Sequence, residues 1–542
     1  MNKASGPFDV IVAGGGPVGL CLAIDLGRRG IRTLLMERNT TPSKWPKMDR
    51  TNGRSMEFFR RIGIADRVRA LGYPGDVPLD VFLMKRLSEP PVAVMQFPSV
   101  DEWRRRTALC HDGSLPLEPY QIVAQNKIEP LLKEIAEATP NVTVRYDCPL
   151  VTFEQDEDRV IVHTRSSTGE EAAYEASYLA GCDGGASTVR KQLGIALHGQ
   201  GNIRELRQVA FYSPDLFEKI PYGKGRHYSF LSSHGALIVV QGDRKEFTLH
   251  TDLPEDSDFK PIIAELVGFP CDIHILHVAT WRHNLLLAEH YRDRRVFLAG
   301  DSAHLVIPNG GLGMNTGLGD AFDLSWKLAG RLKGWGGEAL LDSYEQERHP
   351  VGAFNVAAAG WAAAGVPLWL SLVRPEANED TPEAADLRHE IGKSFLVNHG
   401  RTHGMRGAEY GYSYAGSPII AHEDGNEPVW DRNIHVPHSR PGVRAPHMWL
   451  RSGTPLQDVL GDDYTLLSFA APAGGAGGST AALQAEFEAR GVGLRLLSLD
   501  EPHMRGLYER DHYLLRPDLH IAWRGDELPG DAGALVDLVT GH

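Results

Sequence analysis

Three glycine-rich segments, far apart in the chain, carry the pattern that most restricts its fold. They are Gly14-Gly15-Gly16-Pro17-Val18-Gly19, then Gly181-Cys182-Asp183-Gly184-Gly185-Ala186-Ser187-Thr188-Val189-Arg190, then Gly300-Asp301-Ser302-Ala303-His304 with Pro308-Asn309-Gly310-Gly311-Leu312-Gly313-Met314-Asn315 behind it. The first follows the apolar, β-branched run 8–13 and precedes residues 17–29, where Val18, Leu20, Leu22, Ala23 and Leu26 fall on a helical stripe. Strand, tight turn and helix in that order suit a dinucleotide. Gly14 allows the turn, Gly16 lets backbone approach a pyrophosphate, and Gly19 lets the helix pack on the strand. Pro17 and Val18 open a helix whose free N–H groups and positive dipole end face the phosphates. A second strand, 32–36, ends at Glu37 and Arg38. An acid roughly 20 residues past the glycines is placed to accept hydrogen bonds from an adenosine ribose. The competing reading is an ordinary turn with Glu37 on the surface.

In this order the three segments resemble the fingerprint of the FAD-dependent aromatic hydroxylases, the group A flavoprotein monooxygenases, over most of residues 8–360. The resemblance implies an α/β fold: a Rossmann-like, GR2-type FAD-binding domain, an inserted β-sheet substrate domain and a C-terminal thioredoxin-like domain. It places Gly300 and Asp301 at the end of a strand, with Asp301 on the ribityl or ribose chain. It sets Gly311, Gly313, Met314 and Asn315 at a helix start facing the flavin pyrimidine, where a helix N-terminus stabilises negative charge. Asp183 and Arg190 match residues that help hold FAD; the alternative is a turn stapled by an Asp–Arg pair. Arg54 matches an arginine near the pyrophosphate or flavin, and Gln125 a glutamine that contacts the flavin. Lys47 departs from relatives that have arginine after this proline.

Residues 1–78, 105–192 and 285–400 are expected to build the FAD domain, 79–104 and 193–284 the sheet domain, 401–439 a linker, and 440–542 the third domain. That third domain has no cysteine, which excludes thiol chemistry there. The run 471–478 reads as a surface loop, since no Lys-Ser/Thr follows its glycines.

The net charge of −14, without a long basic run, argues against nucleic acid or an anionic membrane as partner. Five scattered cysteines with no C-x-x-C pattern suit a reducing cytoplasm. Residues 1–7 are too short and polar for a signal peptide. The uncharged stretch 356–373 approaches a membrane span in length, but Gly360, Gly365, Pro367 and Ser371 interrupt it. It reads as a buried helix, against the chain's own core or a second copy in a homodimer. No metal-ligand pattern is present in the motifs.

The chemistry implied by the resemblance is NAD(P)H- and O2-dependent hydroxylation of a phenolic compound through a flavin C4a-hydroperoxide. NADH and NADPH remain alternatives. Pro308 matches a proline beside the reacting flavin carbon; otherwise it merely stops a strand. Asp49 matches an acid that contacts the substrate hydroxyl in phenol hydroxylases, and a dry pocket would raise its pKa; the competing reading is a salt bridge with Arg50 or Arg54. Tyr222, His227 and Tyr228 are candidates to orient a phenolate. Arg226 and Arg244 are the cations available for a substrate carboxylate. The balance favours phenol, catechol, resorcinol or nitrophenol over a hydroxybenzoate. A halogenase acting on an aromatic or polyketide substrate lacks support, because Thr280-Trp281-Arg282-His283 does not match the W-x-W-x-I-P stretch. The remaining alternatives are another FAD-dependent monooxygenase on an aromatic or polyketide substrate, a flavin oxidase or dehydrogenase, and a non-catalytic flavin-binding module.

Overall fold

The computed structural model describes residues 7–425, 428–469 and 477–542. The N-terminal residues read as no signal peptide therefore lie outside the described residues except for Pro7. So does most of the 471–478 loop, whose end opens the helix Gly477–Ala489.

The first eight-stranded sheet carries five neighbouring parallel strands in the order 142–145, 33–36, 8–13, 171–181, 296–298. The central one, Phe8–Ala13, is covered on both faces, which suits its run Val10-Ile11-Val12 with no exposed surface. Register is what assembles the site. Ala13 pairs with Gly181 and Gly181 with Leu298, so the three glycine motifs emerge side by side from the carboxyl ends of adjacent strands. That edge is where open α/β sheets bind ligands. Backbone bonds stitch the exits together: Cys182 N to Ala13 O at 2.8 Å, and Ala299 N to Gly181 O at 3.1 Å.

The second eight-stranded sheet runs 304–305, 274–288, 197–212, 246–251, 237–240, 227–230, 81–84, 93–95. Within residues 79–104, Val81–Met84 joins this sheet, which roofs the cavity, by pairing in parallel with His227–Phe230. Residues 401–439 are more than a linker. They include the helix Arg406–Tyr410, and Met405 and Ala408 pack with Leu312, Ala358, Ala359 and Ala362 in one apolar cluster. That cluster gives the alanine-rich end of the helix Glu338–Ala363 its use. The stretch Glu338–Leu370 is long and apolar enough to cross a membrane by length and composition only, and 39% of its most apolar window is buried.

The C-terminal domain is a four-stranded sheet. Tyr464–Ser468 and Leu494–Ser498 are parallel around the helix Gly477–Ala489; the hairpin His512–Leu515 and Ile521–Gly525 and the helix Ala532–Thr540 follow. This βαβ-then-ββα order is the expected thioredoxin-like core. It docks on the back of the helix Gly313–Leu332, where Tyr464 meets Trp326 and Trp335 edge-on. Beside them lies a charge cluster closed to water. Arg516 donates to Glu347 at 2.6 and 2.8 Å and to Asp518 at 2.6 Å. Lys327 donates to Asp323 at 2.8 Å and to Glu347 at 2.6 Å. The oxygens of Asp323, Glu347 and Asp518 lie close enough to share a cation, and Arg516 and Lys327 already supply the positive charge. Burial and the neighbouring carboxylates push the Asp323 carboxyl well up. Burial opposes the charge on Glu347, but Arg516 and Lys327 hold its carboxyl down.

Removing one member of a buried ion cluster strands its partners, at a cost of about 3–5 kcal/mol. Arg516→Met is expected to lower the denaturant midpoint by that order and to loosen the C-terminal domain first, seen as early proteolysis between residues 400 and 440.

Candidate active site

A cavity of about 1270 Å³ runs from the glycine turns to the roof sheet. Drug-sized ligands occupy pockets of roughly 300–1,000 Å³, so it has room for a dinucleotide and a second molecule.

At its inner end, Gly14 has φ +115° and a Cβ there would lie 2.2 Å from Cys182 O; a Cβ on Gly19 would lie 2.0 Å from Gly14 O. Only glycine fits either position. Gly16, by contrast, faces open space. Neither the helix Pro17–Arg28 nor the helix Gly313–Leu332 has a side-chain cap at its N-terminus, and Gly16, Pro17, Val18, Gly311, Gly313 and Met314 all line the cavity. Two sets of free helix N–H groups thus face it, one at each end of the cofactor space. Between them Asp301 makes no side-chain hydrogen bond among the described residues. It opens onto the cavity yet is walled by protein, and that burial pushes its carboxyl up, partly offset by His304 and Lys47. Two anion sites with an unengaged acceptor between them fit the phosphates, flavin and polyol chain of FAD. Glu37 also lines the cavity, with Arg38 beside it; its oxygens accept from Gly15 N at 2.6 Å and Asn39 N at 2.8 Å. Gln125 reaches the cavity and donates to Glu129.

Four expected cofactor residues lie elsewhere. Gly300 sits behind the wall: its N–H goes to Asp320 Oδ2 at 3.0 Å, and it turns the chain so that Asp301 faces in. Arg54 is drawn to the C-terminal domain, donating to Asp518 O at 2.7 Å and lying over Phe58. Arg190 does not pair with Asp183; it donates to the carbonyls of Gly185 at 3.2 Å and Ser302 at 3.1 Å, joining the second and third motifs. Asp183 lines the cavity and also caps the next turn, accepting from Thr188 N at 2.7 Å. Asn315 is spent within the protein: it donates to Arg50 O at 2.9 Å and accepts from Asn52 N at 2.9 Å and Ser55 Oγ at 2.7 Å. These long or amide side chains find protein partners that the motif alone does not reveal.

At the outer end Asp49 does face the cavity, and its partner is neither Arg50 nor Arg54. Arg226 of the roof strand donates to Asp49 Oδ2 and, at 2.6 Å, to His227 Nε2. Because arginine only donates, His227 Nε2 accepts and its proton sits on Nδ1. Asp49 Oδ1 has no protein donor among the described residues. Arg50 is paired with Glu409 at 2.8 Å and Arg204 with Asp252 at 3.1 Å. Arg244 is bound to Asp76 and Glu218, away from the cavity. Pro308 lines the cavity, its carbonyl accepting Gly311 N at 2.9 Å. Two roof candidates drop out. Tyr222 is 45% exposed on the surface. Tyr228 is buried in the sheet's core against Phe82, with its hydroxyl accepting Gly225 N at 2.9 Å.

Four cavity residues went unnoticed in the sequence: His250, His283, His399 and His403. Single histidines on a strand or in a supposed linker carry no local signal; only the fold gathers them. Burial, the largest cause, holds His250, His283 and His399 down to about 4, and His227 and His403 well below the ordinary value.

The FAD binding domain family matches residues 7–359, and the aromatic-ring hydroxylase C-terminal family matches 438–541. Among curated relatives, the FAD-dependent monooxygenase apdD of Emericella nidulans is 34% identical over 97% of this chain and 89% of its own. A putative polyketide hydroxylase of Streptomyces halstedii is 31% identical over 96% and 93%. The ternary complex of aklavinone-11 hydroxylase with FAD and aklavinone superposes with a TM-score of 0.82 at 27% identity, covering 100% of both chains.

Two outcomes are expected from this geometry. Asp301→Ala should purify with little flavin, measured as the ratio of visible to protein absorbance; full occupancy would remove Asp301 from the cofactor site. Unfolded histidine titrates near 6.5 (roughly), whereas three of these sit at about 4 when folded. The unfolded chain then binds more protons in that window, so their stability contribution is whole above it and is lost as pH falls through it. The thermal midpoint should drop from neutral towards acid pH, and less steeply when His283 and His399 are both glutamine.

Proposed function

The chain belongs to the FAD-dependent aromatic-ring hydroxylases, and from that premise we propose that it hydroxylates a fused-ring phenol of the aromatic polyketide type, consuming NAD(P)H and O2. It is an FAD-dependent aromatic monooxygenase; the substrate and the reductant are the proposed part. The observation that carries the reading is the outer half of the cavity. The whole cavity, at about 1270 Å³, has room for a second molecule beside a dinucleotide, and Trp281, Leu285, Leu237, Val366 and Leu370 give its outer half broad apolar surface alongside the polar groups of Asp49, Arg226 and the histidines. The polyketide hydroxylase relative and the aklavinone complex support fused rings over the single-ring phenols favoured by the motifs.

Bound FAD, reduced by NAD(P)H, supplies the oxygen-transfer chemistry. The chain's own residues do the rest. The helix that starts at Gly313 stabilises negative charge at the flavin end. Asp49 Oδ1 is placed to take the proton of a phenolic hydroxyl, which enriches the ring in electrons. Arg226 holds Asp49 Oδ2 and so fixes the carboxylate's orientation. The apolar wall excludes water from the reacting atoms.

A positioned general base contributes roughly 10²–10⁴-fold to rate. Asp49→Asn should therefore keep FAD and lose product formation by about that factor. NAD(P)H consumption across a panel of fused-ring phenols, with mass spectrometry under labelled O2, identifies the substrate; a panel that produces no labelled product refutes the reading.

A further inference from the structure

Two imidazoles, buried His399 and half-buried His403, line the outer cavity and make no hydrogen bond to the protein among the described residues. His399 Nδ1 and His403 Nε2 are sealed in the wall without a partner, which leaves His399 Nε2 and His403 Nδ1 as the nitrogens open to the cavity. They form a row with His227: the ring centres of His227 and His403 are 5.7 Å apart, and those of His403 and His399 are also 5.7 Å apart. Phe395 stacks on His399 at 4.7 Å and Phe97 lies against His403 at 5.1 Å, which holds both rings in place. The segment is pinned to the flavin side as well, since Asn309 Nδ2 donates to Thr402 Oγ1 at 3.3 Å. Native proteins rarely leave buried polar atoms unpaired, and those that remain call for an explanation. Two of them side by side in a ligand cavity, on rings clamped by aromatics, have the form of a recognition surface.

The charges around the row narrow what it recognises. Burial, and for His403 the neighbouring His399, Arg50 and Arg226, keep these imidazoles neutral at working pH. Each then offers one donor and one acceptor. The nearby arginines are already matched, Arg226 by Asp49, Arg50 by Glu409 and Arg204 by Asp252. The cavity cations without a carboxylate partner among the described residues, Arg38, Lys44 and Lys47, belong to the loop after Glu37 on the cofactor side. A carboxylate entering the outer half would lose its water with no free cation to replace it.

We propose that His403 and His399 are the specificity-determining residues of this chamber, binding a neutral hydroxyl-and-carbonyl pair on adjacent rings of the substrate. The hydroxyl donates to one imidazole and the carbonyl accepts from the other, so neutral hydroxyquinone-type fused rings are selected over carboxylated ones. The inference deepens the proposed function and rests on its reading of the outer cavity as the substrate chamber.

The test is binding to the FAD-loaded enzyme, read from flavin fluorescence and dye absorbance without turnover. The probes are 1,8-dihydroxyanthraquinone, its carboxylated analogue and plain anthraquinone. Wild type should bind the dihydroxy dye at least about tenfold more tightly than either of the others, the scale expected when a buried donor or acceptor is left unsatisfied. His403→Phe and His399→Phe keep the ring shape and should each remove most of that preference. His403→Asn should restore part of it, and flavin content should stay unchanged throughout. A preference that survives in both phenylalanine variants overturns the proposal, as does a wild type that binds none of the hydroxylated dyes. If the dye binds with this pattern but is never hydroxylated under NAD(P)H and labelled O2, recognition stands and the monooxygenation of such rings does not.

Discussion

The site depends on where one helix begins, and that is fixed by charges buried at its far side. The helix Gly313–Leu332 opens on the cavity, and its other end carries Asp323 and Lys327 into the cluster with Glu347, Arg516 and Asp518. Asp323, Glu347 and Asp518 share Arg516 and Lys327, and burial with the acidic neighbours opposes the charge on Asp323. Such a cluster gives little net stability compared with apolar packing, but it tolerates no slippage, because displacing any member strands a charge. A thioredoxin-like domain without cysteines therefore has a clear mechanical use here. It closes the back of the helix whose front faces the flavin space, and Arg54, Arg444 and Glu57 repeat the arrangement behind the 50–60 segment.

The outer chamber is built on a different balance. Asp49 comes from the cofactor domain and Arg226 from the roof sheet, so their ion pair spans the cavity wall and sets the height of the roof over the flavin end. Its neutrality matters as much as its position. A lone arginine would attract any anion, and a lone carboxylate beside apolar surface would take up a proton. Paired, they leave one carboxylate oxygen available and no excess charge. The imidazoles on the neighbouring wall continue the same design, polar but uncharged, among Trp281, Leu237 and Leu370.

The sequence revealed what local backbone geometry demands and little of what tertiary contacts decide. The glycine turns were legible because only glycine meets φ +115° at Gly14 or the close approach at Gly19, and strand registry then brings Gly181 and Leu298 into line. The assignment of 79–104 to the sheet domain came from the family resemblance, and Val81–Met84 pairs with His227–Phe230 in that sheet. Asp49 could be found by its motif, but its partner could not, since Arg226 lies 177 residues away. Arg54, Arg190 and Asn315 do not line the cavity, for a common reason. Long polar side chains bond to whatever carbonyl or amide the fold delivers, and here those belong to Asp518, Ser302 and Asn52. Tyr222 lies before the strand His227–Phe230 and Tyr228 within it, yet of residues 226–229 it is Arg226, His227 and Ser229 that reach the cavity.

His399 and His403 mark the limit most sharply. They follow the helix Pro382–Asn398 in a stretch with no motif, beyond the cofactor fingerprint. Nothing local distinguishes them from surface histidines. Their place arises because Met405 and Ala408 fill the apolar cluster against Leu312 and Ala359, which draws the preceding turn across the cavity. Packing of this segment therefore decides which polar atoms face the substrate, while the cofactor end is held by glycines and helix ends.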